Sequence, residues 1–109
     1  MPQIAALGEF EHLVLLAVLQ LESEAYAIAV RSCLQDLAGR TASRGALYTT
    51  LERLQRKGLL DWETEVTSPK RGGIPRRRFM VTEAGMAAVQ GAQGAIARMS
   101  EGLGLSLDG

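Results

Sequence analysis

With 109 residues, 47% of them apolar and 22% charged, the chain has the material for one hydrophobic core and the composition of an ordinary soluble globular domain, which excludes collagen-like, disordered and disulfide-scaffold classes. Cys33 is the only cysteine, so neither an intrachain disulfide nor a thiolate zinc site can form, and a reducing, cytoplasmic setting is expected. The formal charge is zero but unevenly divided: residues 40–78 hold ten basic residues against four acidic ones, a net +6, while residues 1–39 carry −4 and residues 79–109 carry −2. A neutral protein with one basic face can hold a polyanion there while its acidic remainder limits indiscriminate sticking.

Met1-Pro2-Gln3-Ile4 lacks the basic region of an export leader, and the apolar run Leu13 to Leu19 is seven residues long. A membrane span needs roughly 20, so neither export nor insertion is expected. From Phe10, apolar residues at Leu13, Val14, Ala17, Val18 and Leu21 recur at three and four, the spacing of a helix. Leu15, Leu16 and Leu19 lie off that stripe, which makes this first helix apolar nearly all round and predicts cover from a second subunit. Tyr26, Ala29, Val30, Cys33, Leu34 and Leu37 repeat the helical spacing, and Gly39 supplies a stop signal. Ser43 can cap a third helix built on Leu47, Leu51 and Leu54, closed by Arg56, Lys57 and Gly58.

After Gly58 the period changes to two. Leu60, Trp62, Thr64 and Val66 alternate with Asp61, Glu63, Glu65 and Thr67, and Arg77, Phe79 and Val81 alternate with Arg76, Arg78 and Met80. These are two strands joined by the turn-rich basic loop Ser68 to Pro75. Thr82 and Glu83 can open a last helix through Ala88, Val89, Ile96 and Met99, with Gly85, Gly91 and Gly94 each costing about 1 kcal/mol relative to alanine. Residues 102–109 read as a frayed tail.

The order helix, helix, helix, strand, basic loop, strand, helix, with no repeat and no linker, predicts a mainly α protein with a small β-hairpin. It is a single winged helix-turn-helix domain over 1–109, with a core about 7–82 and a C-terminal dimerisation helix about 82–100. The candidate dimerisation residues are Phe10, Leu15, Leu16 and Leu19 on the first helix and Met86, Val89, Ile96 and Met99 on the last.

In a helix-turn-helix the second helix of the motif enters the major groove with its N-terminal residues against base edges. Setting Leu47, Leu51 and Leu54 inward turns Gly45, Thr49, Arg53 and Arg56 outward, with Tyr48 and Glu52 on the flank. The candidate DNA-binding residues on this element are Ser43, Arg44, Gly45, Tyr48, Thr49 and Arg53; hydroxyls and backbone N–H groups at a helix N-terminus suit phosphate oxygens. Lys70, Arg71, Arg76 and Arg77 form the basic wing, placed to follow a phosphate strand or enter the minor groove. For Arg78, pairing with Glu63 or Glu65 across the strands competes evenly with DNA contact, and Arg76 has the same structural alternative.

The run Ser43-Arg44-Gly45-Ala46-Leu47-Tyr48-Thr49-Thr50-Leu51-Glu52-Arg53-Leu54, continuing to Leu60, resembles the recognition-helix signature of the PadR family of transcriptional regulators. Arg71 to Gly85 resembles the family's wing and the opening of its last helix, and Leu7-Gly8-Glu9-Phe10-Glu11 followed by Tyr26 resembles its start. The resemblance covers roughly residues 7–90, with three pieces in the right order. It implies a winged-helix dimer, usually a repressor, held by its first and last helices and released from operator DNA by a small molecule or another signal. The chain departs at Ala27, where the family often has Gly, at Met80, where a polar residue is usual, and in the glycines of the last helix. Some short members stack planar drugs between aromatic residues at the dimer centre, but residues 83–109 contain no aromatic residue, so that mode does not carry over.

His12 beside Leu13 reads as a partly buried helix residue rather than a pH sensor, Cys33 as a small apolar residue, and Trp62 as the packed face of a strand. One His and one Cys give little for a catalytic set, and no cofactor is called for. The expected partners are double-stranded DNA, a second copy of the chain and an effector that the sequence does not name. The alternative reading is a winged helix used for protein interaction, with no sequence-specific DNA target.

Overall fold

The computed structural model of the chain describes residues 6–66 and 75–105. Helix α1 (Glu9–Leu21) is followed by a single 3-10 turn, α2 (Ala27–Ala38), α3 (Arg44–Arg56), strands β1 (Leu60–Val66) and β2 (Pro75–Val81), and α4 (Glu83–Ser100). Each boundary has a local cause. The α2 helix ends at Gly39, whose φ of +63° lets the N–H groups of Gly39 and Arg40 turn back onto the carbonyls of Gln35 and Leu34. The Ser43 Oγ accepts from the Ala46 N–H at 3.0 Å and so starts α3.

One core joins all four helices and the hairpin: Val14, Leu15 and Val18 from α1, Val30 and Leu34 from α2, Leu47, Leu51 and Leu54 from α3, Leu60 and Phe79 from the sheet, and Ala88 and Val89 from α4. Each fully buried leucine or phenylalanine contributes about 1.5–3 kcal/mol through apolar burial. On α2 the buried residues are Val30 and Leu34, so the last turn projects past the core and leaves Leu37 71% exposed, unlike its expected place on the apolar stripe.

The strands pair antiparallel with Leu60 opposite Val81, Trp62 opposite Phe79, Glu63 opposite Arg78 and Glu65 opposite Arg76. The chain just before α2 lies along the other side of β2: Tyr26 bridges to Arg78, and the Phe79 N–H donates to the Ala25 carbonyl at 2.8 Å. This short third pairing ties the base of the hairpin to the start of the helix-turn-helix.

The α4 helix runs unbroken for 18 residues despite its glycines. Gly85 has a packing reason. A Cβ there would lie 2.1 Å from the Leu59 carbonyl oxygen and 2.6 Å from Val81 Cγ1, so α4 can meet the α3–β1 turn this closely only without a side chain. Thr82 completes the joint, its hydroxyl donating to the Gly58 carbonyl at 2.7 Å and accepting from the Gly85 N–H at 3.0 Å.

Two of the residues expected at a subunit interface are corrected here. Leu15 is fully buried and Val89 is 5% exposed within the protomer, because α1 and α4 turn those side chains onto the core they share with the other elements. Phe10 and Leu16 are partly buried against the same core and Leu19 is half-buried, while Met86, Ile96 and Met99 are exposed.

Candidate nucleic-acid interface

The helix-turn-helix consists of α2, the turn from Gly39 to Ser43, and α3. Arg31 Nε on α2 donates to the Ala42 carbonyl at 3.1 Å, fixing the turn, and Arg40 pairs with Glu9 of α1. The far end of α3 is anchored by Lys57, whose Nζ donates to both oxygens of Glu11 at 2.9 Å and to the Ala6 carbonyl at 3.1 Å. Glu11 is itself 5% exposed and also accepts from the Gly8 N–H at 2.8 Å. Burial pushes its carboxyl pKa up, but the Gly8 and Lys57 hydrogen bonds and the charges of Lys57 and Arg53 outweigh this and hold it below the ordinary 4.5.

A group whose folded pKa is depressed contributes stability that is present above its unfolded pKa and lost as pH falls through the folded one. Glu11→Gln is therefore expected to lower the urea midpoint at pH 7, and the gap to the parent protein should close as the pH is taken below about 4.5. A gap of constant size down to pH 3 would show that the ionised carboxylate contributes nothing.

On α3, Leu47, Leu51 and Leu54 are buried, which leaves Arg44, Gly45, Thr49, Arg53 and Arg56 facing solvent and Tyr48 half-buried. Ser43 uses an oxygen lone pair on Ala46, so its hydroxyl proton remains available to an acceptor in front of the helix. The N–H groups of Arg44 and Gly45 lie in the first turn, where they have no partner within the helix and the partial positive charge of the dipole is concentrated. Arg44 stacks over Tyr48, its guanidinium carbon 5.7 Å from the ring centroid.

Three consecutive arginines of β2 have three different settings. The Arg76 guanidinium lies over the ring of Tyr26 at 3.7 Å, and that of Arg77 over Trp62 at 4.7 Å; Trp62 in turn packs edge-to-face on Phe79 with centroids 5.9 Å apart. Arg78 is committed to structure, with Nε donating to Glu65 at 2.8 Å and Nη2 to Glu63 at 2.9 Å. The cross-strand pairing weighed for Arg78 is thus present, whereas no carboxylate is paired with Arg76 among the described residues. The Tyr26 hydroxyl donates to Glu65 at 2.7 Å; that bond is the main cause raising the Tyr26 pKa, and with the Arg78 bond it keeps Glu65 below the usual carboxylate range.

An open groove runs between the start of α2, the outer face of α3 and the hairpin. Arg31, Arg44, Arg76 and Arg77 line it together with Tyr26 and Tyr48, and Glu52 brings the one carboxylate. The sequence placed Arg44, Tyr48, Arg76 and Arg77 on one surface. Tyr26 and Arg31 were missed because their helical spacing reads only as core and solvent, and their contacts lie with residues distant in the chain. Lys70 and Arg71 fall outside the described residues. Among the described residues, no helix is long and apolar enough to cross a membrane.

A helix-turn-helix with a cationic outer face, set beside an arginine-bearing β-hairpin, is the winged helix-turn-helix arrangement. The profile of the transcriptional regulator PadR-like family matches residues 15–91, and the chain belongs to that family, whose members are regulators of transcription rather than enzymes. Among solved structures, a PadR-like transcription factor from Bacteroides fragilis superposes with a TM-score of 0.70 at 25% identity, covering 86% of this chain and 85% of that one. A PadR family transcriptional regulator from Eggerthella lenta gives 0.67 at 28% identity over 88% and 83%. Bacillus subtilis PadR in complex with operator DNA shares the fold, with a TM-score of 0.63 at 13% identity over 77% of this chain and 47% of that one. Among curated proteins, none matches the chain in sequence.

Proposed function

We propose that this PadR-like regulator binds double-stranded DNA sequence-specifically as a homodimer and acts as a repressor released by a small molecule or another signal. The observation that carries the reading is the groove in which Arg31 of α2, Arg44 in the first turn of α3 and the stacked Arg76 and Arg77 of β2 lie on one surface. The α3 helix would read base edges through Arg44, Thr49 and Arg53, while Ser43, the backbone at Gly45, Tyr48 and the wing hold the phosphates on either side. The crystallised complex of Bacillus subtilis PadR with operator DNA supports the same use of this fold.

The dimer is supported by α4. Met86, Ile96 and Met99 are exposed within an arc of about 140° of the helix, and Phe10, Leu16 and Leu19 of α1 add partly buried apolar surface. In this reading residues 7–82 are the DNA-binding core of a single domain, α4 is the dimerisation helix, and paired α3 helices meet half-sites about one helical turn apart. Selection of bound duplexes from a random library, combined with sedimentation analysis, tests it. A two-fold symmetric motif recovered by a dimer supports the reading, and a monomer that enriches no motif refutes it.

A further inference from the structure

We propose that Tyr26 is a positioning residue for the wing: its ring carries Arg76, and its hydroxyl, by occupying Glu65, keeps that carboxylate off Arg76 and leaves the guanidinium available to a DNA phosphate. The proposal rests on the wing being a DNA contact. Strand register sets Glu65 directly opposite Arg76, the arrangement in which a cross-strand ion pair ordinarily forms. Here each oxygen of Glu65 has another donor: Oε2 accepts from the Tyr26 hydroxyl at 2.7 Å and Oε1 from Arg78 Nε at 2.8 Å. Arg78 also engages Glu63, the residue opposite it, so the two glutamates on that face are held by groups other than Arg76.

Arg76 instead stacks at 3.7 Å on the Tyr26 ring. A neutral ring restrains a guanidinium without neutralising it and leaves the donors in its plane pointing outward, whereas an arginine paired with a carboxylate must give up that partner before meeting a phosphate. Arg77 is restrained in the same manner on Trp62, with no carboxylate paired to it among the described residues. The backbone bridge from Tyr26 to Arg78 sets the Tyr26 main chain beside β2, and the bond to Glu65 holds its hydroxyl there. Phenylalanine would supply the ring but leave Glu65 Oε2 open beside Arg76.

The test is fluorescence anisotropy on a labelled mixed-sequence duplex at several salt concentrations, since phosphate contacts need no particular sequence. It compares the parent protein with Arg76→Ala, Tyr26→Phe, Glu65→Gln and the double variant Tyr26→Phe/Glu65→Gln, each checked as folded by its thermal melt. Arg76→Ala and Tyr26→Phe should each weaken binding several-fold and reduce the slope of log K against log salt by up to about 0.9 per subunit, the value of one phosphate. Glu65→Gln should restore binding in the Tyr26→Phe background by more than it improves the parent protein, because only there does it remove a competitor for Arg76. Parent-like binding by Tyr26→Phe beside an impaired Arg76→Ala overturns the proposal and leaves the wing reading standing. Failure of Glu65→Gln to restore more than its own gain overturns it too, and an unimpaired Arg76→Ala overturns both the proposal and the wing contact.

Discussion

Replacing Phe79 by alanine is expected to remove about 3–5 kcal/mol of stability, the cost of excising a buried aromatic ring and leaving a cavity. Phe79 is 1% exposed, packs edge-to-face on Trp62, and stands next to Arg78 on the strand that pairs with Ala25 and Tyr26. The ring therefore holds the hairpin against the helical core, and its loss should loosen the platform beneath Arg77 as well as the core. A domain of this size has only about 5–15 kcal/mol in total, so this one ring accounts for a large fraction of it. Urea titration followed by fluorescence reads this directly, since Trp62 is the sole tryptophan and sits in the affected contact. A loss below about 1 kcal/mol would mean that the hairpin does not depend on this packing.

Replacing Thr49 and Arg53 together by alanine should weaken binding to the preferred sequence on the order of 10- to 100-fold, while binding to unrelated DNA falls far less. Both side chains are exposed on the outer face of α3, and neither supports the core. Base-edge hydrogen bonds distinguish sequences, whereas phosphate contacts act on all DNA alike, so the ratio of the two affinities reports which kind has been lost. Equal loss on both would reassign Thr49 and Arg53 to phosphate contacts and move sequence reading elsewhere on α3. The prediction complements that for Tyr26, where affinity and salt slope are expected to change on any duplex.

Features set by local chemistry were legible in the sequence. Ser43 and Thr82 cap their helices, Gly39 ends α2 with a positive φ, and the alternation from Leu60 to Val66 is a strand, each decided by residues within a few positions. What depends on packing between distant segments was not. A first helix apolar nearly all round carries no mark of which leucine meets the protomer's own core: its spacing puts Leu15 off the core stripe, while the structure buries it completely. Val89 lies on the shared face of α4 for the same reason.

In the sequence Gly85 reads only as a helix-weakening residue, whereas in the structure the Leu59 carbonyl lies where its side chain would be. The three arginines of β2 look equivalent as a run. The pairing of Arg78 with Glu63 and Glu65 follows from strand register, but the stacking of Arg76 depends on Tyr26, which also reaches Glu65, 39 residues away in the chain, and no local spacing encodes those contacts.

The most direct measurement is the fluorescence anisotropy of the purified protein on DNA from upstream of its own gene and on a scrambled duplex, at several salt concentrations. Tight binding that prefers the upstream DNA, weakens linearly in log salt and saturates at two chains per site is the expected result for a dimer holding phosphates with the arginines of the groove. Weak binding, equal on both duplexes and insensitive to salt, would contradict a DNA-binding role for this surface.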